Sequence, residues 1–104
     1  MELKANGEKL TLVAGAGGVT KGVPFLHGEL FVIPASDAKE GKLYTGMISG
    51  AFMGYEEFLA DSVTVADKDT AYFTPEGKLV KTKTGNIKVG YFVENSQMPM
   101  LLVK

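Results

Sequence analysis

The segment from Asp61 to Lys104 constrains the fold most, because short β-favouring runs follow one another there and each is closed by a turn signal. Val63-Thr64-Val65 leads through Asp67-Lys68-Asp69 into Ala71-Tyr72-Phe73. Pro75-Glu76-Gly77 then turns into Lys78-Leu79-Val80, and Gly85-Asn86 leads into Ile87 to Val93. Runs rich in β-branched and aromatic residues, punctuated by glycine, proline and aspartate, read as strands joined by tight turns.

The first half continues the pattern. Leu10 to Val13 alternates as a strand, and the Gly15-Ala16-Gly17-Gly18 run after it is irregular. Val23 to Leu26 and Glu29 to Ile33 are further strand-like runs, the second ended by Pro34, which lacks a ladder donor. Ala35 to Gly41 reads as a loop with one helical turn at Asp37 to Glu40, and Glu56 to Ala60 as a second short turn. Leu43 to Ile48 and Ala51 to Tyr55 resume strand character, with Gly46, Gly50 and Gly54 as candidate bulges or bends. Met98 to Val103 reads as a closing strand. About eight short strands in 104 residues predict one all-β domain, a small sandwich or partly closed barrel.

Two segments stand out as contact surfaces. Leu30-Phe31-Val32-Ile33 is apolar on both faces, as is the closing run with Met98, Met100, Leu101 and Leu102. Such strands are either sandwiched within the domain or covered by a neighbouring subunit, so these residues are candidates for an oligomer interface. Glu2, Leu3, Lys4, Ala5 and Asn6 form a short polar start that reads as a loose arm, able to add a strand to the edge of a partner sheet.

Composition narrows the function. There is no cysteine, hence no disulfide frame and no thiolate metal site. No leader-like or membrane-length apolar run occurs, so a soluble chain is expected, without membrane attachment. All eleven basic residues are lysine, which argues against phosphate and base recognition, where arginine is the usual tool.

A search for chemistry returns little. His27 is the sole histidine and has no cysteine to join it in a metal site. The glycine run at 15–18 is followed by Val19-Thr20-Lys21-Gly22-Val23, which lacks the helix start a phosphate loop requires. Asp67-Lys68-Asp69 opens like a calcium loop, but Ala71 and Phe73 stand where oxygen ligands are needed. Glu56, Glu57 and Asp61 read as a solvated acidic face. Met98-Pro99-Met100 carries proline where a carrier domain needs its modifiable lysine. No catalytic, metal or cofactor residues are assigned, and the chain is read as a non-enzyme. Lys78, Lys81, Lys83 and Lys88, with Tyr91 and Phe92 nearby, form the best alternative site: a single-strand nucleic-acid surface of the five-stranded OB type. A lysine-protected edge strand explains the same residues.

Three pieces in order carry a family resemblance. They are residues 7–19 with Gly22-Val23-Pro24-Phe25-Leu26, then Leu30 to Ala38 with Gly41 and Ser49-Gly50-Ala51-Phe52, then Ala66 to Phe73 with Thr84 to Tyr91. Together they resemble the capsid cement, or head decoration, proteins of tailed phages and prophages. That resemblance implies a small β protein on the outer surface of an assembled shell, strengthening it against internal DNA pressure. It also implies a major capsid protein as partner, self-association as a homotrimer or a dimer, and synthesis in a bacterial host cytoplasm. Neither nucleic acid nor membrane is a partner in this reading.

Overall fold

The structure, a computed structural model, describes every residue except 6 and 95–98, with the backbone alone for residues 2–5. Ten strands are present among the described residues. They are β1 (Glu2–Ala5), β2 (Lys9–Val13), β3 (Phe25–His27), β4 (Leu30–Pro34), β5 (Leu43–Met47), β6 (Gly50–Met53), β7 (Thr70–Phe73), β8 (Leu79–Val80), β9 (Ile87–Val93) and β10 (Met100–Val103). They form a six-stranded sheet ordered β1-β6-β10-β9-β7-β8 and a four-stranded sheet ordered β2-β5-β4-β3, with every neighbouring pair antiparallel.

The two sheets face one another across a core with contributions from both. Phe31, Ile33 and Met47 come from the smaller sheet, and Phe52, Phe73, Val89, Phe92, Leu101 and Val103 from the larger. Phe31 and Phe73 meet edge to face across the layer, centroids 4.9 Å apart. The fold is therefore a β-sandwich. The smaller sheet is also covered on its other face, where Val32, Tyr44 and Ala14 pack with Leu12, Val19, Phe25 and Ala38.

That double cover explains the two-sided apolar run of β4. Phe31 and Ile33 enter the inter-sheet core while Val32 enters the second cluster, and all three are buried within the chain. Gly46 stays in a straight β5, and its missing side chain makes room for Val32 and Leu12 against the sheet. The bend expected there falls instead in β9. Ala71 pairs with Gly90 and Tyr72 with Lys88, so Val89 is an extra residue on β9. This bulge turns both Val89 and Phe92 into the core and leaves Lys88 exposed with Tyr91 beside it. Gly90, at φ +153°, is where the chain makes that change.

Several local expectations are corrected. Val63-Thr64-Val65 is not a strand; Ala60 and Leu59 on one side of it contact Leu79 through a backbone hydrogen bond and a parallel bridge. Asp37 to Glu40 makes no helical turn, because Ala38 is held in a bridge to Val19. Tyr55–Phe58 forms the one 3-10 turn among the described residues, close to the turn expected at Glu56 to Ala60. Glu2–Ala5, read as a loose arm, is an edge strand: Leu3 pairs with Phe52 and Ala5 with Ala51. An apolar, glycine-led β6 would otherwise leave its ladder groups open at the sheet border.

Candidate interaction surfaces

The strand-bound candidates divide by face. On β4, Phe31 and Ile33 are buried in the inter-sheet core and Val32 in the second cluster, each at most 5% exposed, so in the lone chain none of the three oligomer-interface candidates offers a free face to a neighbour. Leu30, at the strand's start, stays exposed. On β10, alternation places Leu101 and Val103 in the core and leaves Met100 and Leu102 half-buried on the outer face. Met98 and Asn6 lie outside the described residues.

Met100 and Leu102 do not stand alone. Across the ladder, Met100 pairs with Val93, and Leu102 with Tyr91 on one side and Ala51 on the other. All five are partly exposed, so the outer face of the six-stranded sheet carries a mixed, mostly apolar stripe. β1 lies at the border of the same sheet, one strand beyond β6. Beside β1 and β6, an open cleft of about 620 Å³ is lined by Met1, Met47 and Met53, with Lys9, Lys21 and Glu57 among its other walls. Methionine walls are adaptable and suit an apolar side chain of varied shape.

The lysines expected as a nucleic-acid surface are spread over an edge. Lys78 and Lys81 flank β8, the last strand of its sheet, and Lys83 lies in the link to β9. Lys81 sits 3.4 Å from Asp69, whose carboxyl is held below its ordinary 3.8 mainly by the Ala66 backbone N–H and also by that lysine. Lys88 lies 5.0 Å from the Tyr91 ring centre and 3.2 Å from its hydroxyl. Ten strands in two sheets are not the five-stranded barrel that the nucleic-acid alternative requires.

His27 packs edge-on to Phe25 on β3, 6.2 Å between ring centres. Asp67 to Asp69 form a docking turn: Lys68 N–H donates to the Phe92 carbonyl, and Asp67 Oδ1 accepts from Glu94 N–H.

One surface was not anticipated. β2 and the start of β5 project with Leu10, Val13 and Leu43 exposed, by 42, 52 and 69%. The signal was present in Leu10, Leu12 and Val13, which place apolar side chains on both faces of a short strand.

Comparison with known proteins assigns these surfaces to a context. The sequence profile of the phage cement proteins matches residues 4–99. The chain belongs to that family. It is accordingly a structural protein associated with a phage capsid. No curated protein and no solved structure matches it significantly. The matched residues take in all of the four-stranded sheet and, from Lys4 in β1, the six-stranded sheet up to β9; β10, with Met100 and Leu102, follows directly after them.

Proposed function

We propose that this cement protein binds the outer surface of an assembled phage shell as a homo-oligomer and holds neighbouring major capsid subunits together. Family membership across nearly the whole chain carries the reading. The six-stranded sheet offers the surface that supports it. Its outer face presents Met100 and Leu102, and its border strand β1 has one side with no strand beside it among the described residues. Glu2 to Ala5 can therefore accept a strand from a capsid subunit while the apolar stripe lies against the shell. Repeated weak contacts across a lattice raise the effective concentration of each and slow release. The work is done by burial and backbone pairing, with no reaction step.

Sedimentation with genome-free heads that lack the protein tests this. The wild-type chain is expected to pellet with the heads to a saturable number per shell, and Met100→Glu with Leu102→Glu to stay in the supernatant while remaining folded. Equal pelleting of the double variant removes this face from the account.

A further inference from the structure

The outer edge of β2 is built to pair with itself. Ile48 N–H donates to the Glu8 carbonyl and Ala14 N–H to the Lys42 carbonyl, bracketing the β2–β5 ladder. Even-numbered residues of β2 thus turn their backbone groups toward β5. Lys9, Thr11 and Val13 turn theirs the other way, where among the described residues no strand lies and none of these groups has a hydrogen-bond partner.

These three residues are spaced evenly about Thr11. We infer that β2 pairs antiparallel with β2 of a second copy, Thr11 facing Thr11 across a two-fold axis. In that register Lys9 meets Val13 of the other copy, Val13 meets its Lys9, and each of the three pairs exchanges two backbone bonds. Sliding the strand by two residues either way leaves one residue of each copy unpaired. Sliding it until Lys9 faces Lys9 sets like charges opposite.

The side chains agree with the central register. Leu10, 42% exposed in the lone chain, gains Leu12 of the second copy beside it, and the aliphatic stem of Lys9 covers Val13. Glu8 falls in the same cross-strand row as Lys42 of the other copy, about 10 Å apart at Cα across Ala14. Two long side chains of opposite charge span that gap, once on each side of the axis, and neither makes an ion pair within its own chain among the described residues.

The contact is small. Seven or so residues a side bury roughly 500 Å² in total, well under the ~1,600 Å² of a standard stable complex. Pairs are expected at high protein concentration or on a surface that gathers copies, and single chains in dilute solution. A two-fold contact cannot close a three-membered ring, so this edge builds pairs, and the trimer that the family resemblance names first would need a different surface.

The absence of cysteine makes the test direct. Hydrogen-bonded antiparallel partners stand about 5.5 Å apart at Cα, within disulfide range. Thr11→Cys is therefore expected to form a covalent dimer under mild oxidation. Lys9→Cys, on the same edge, places its two cysteines ~14.5 Å apart at Cα and is expected to cross-link at least tenfold more slowly. Thr11→Pro removes the outward N–H at an edge position where proline is tolerated, and is expected to cut the dimer fraction in sedimentation equilibrium at least tenfold. Equal cross-linking of the two cysteine variants overturns the inference, as does a folded Thr11→Pro chain that still pairs. If the proline variant does not fold, the cysteine comparison decides. Pairing without shell binding removes the capsid reading alone; shell binding without pairing removes this inference alone.

Discussion

Gly90→Ala tests how the bulge in β9 organises the core. A Cβ built at this position lies 1.8 Å from the Leu102 carbonyl oxygen, 2.9 Å from its carbon and 3.1 Å from Val103 Cα. All three are backbone atoms of β10, so no side chain can swing aside. Restoring ordinary contact requires β10 to move by roughly 1.5 Å. That displacement breaks the pairing of Val103 with Gly90 and strains that of Leu102 with Tyr91. Two ladder bonds at about 1 kcal/mol each, plus about 1–3 kcal/mol for a side chain held at such a positive φ, total ~3–5 kcal/mol. A domain of this size has about 5–15 kcal/mol of stability in all. Urea unfolding followed by tyrosine fluorescence is the assay, and the midpoint should fall by roughly 2 M. Gly15→Ala is the control, since nothing lies within 4 Å of its Cβ, and its effect should stay within about 0.5 kcal/mol. A Gly90→Ala midpoint within ~0.3 M of wild type would refute the bulge as the device that sends Val89 and Phe92 inward.

Tyr44 is 3% exposed and its hydroxyl has no hydrogen-bond partner among the described residues, with burial raising its pKa; Tyr44→Phe should stabilise the chain by about 1 kcal/mol in the same urea assay. Phe31→Ala should cost about 3–5 kcal/mol without changing the association state, as suits a core residue on the inter-sheet ring contact; calorimetry and sedimentation together check both halves. The Asp69 carboxyl titrates lower in the folded than in the unfolded chain, so its stabilisation is present above the ordinary 3.8 and is lost as pH falls through the lower folded value. The stability difference between wild type and Asp69→Asn should accordingly shrink below that pH, measured by urea melts from pH 6 down to 2.5. Removing residues 1–6 uncovers the β6 edge, so the truncated chain should melt at lower temperature and aggregate more readily.

Much of the sandwich was legible because period-two patterning survives in strands with one buried face. β7 and β9 run where Ala71 to Phe73 and Ile87 to Val93 suggested, β10 takes the Met100 to Val103 part of the expected closing run, and Pro34 closes β4. Local pattern could not reveal coverage. The apolar faces of β4 had two explanations, and only the packing of Val19, Phe25 and Ala38 onto Val32 decided for an internal one. Val63-Thr64-Val65 has good strand propensity but lies in an irregular crossing segment, so tertiary position overrode it. β1 was missed in the opposite sense: Glu2-Leu3-Lys4-Ala5 alternates, but four residues are too short a run to declare a strand, and they become one because β6 offers an open edge. The exposed edge of β2 depended on strand order, which no single run of residues encodes.

Cryo-electron microscopy of genome-free heads with and without added protein addresses the central claim most directly. The account predicts a difference map with symmetric density on the outer surface only, into which the sandwich fits with its six-stranded sheet toward the shell. Density confined to the inner surface, or no added density at saturating protein, would contradict it.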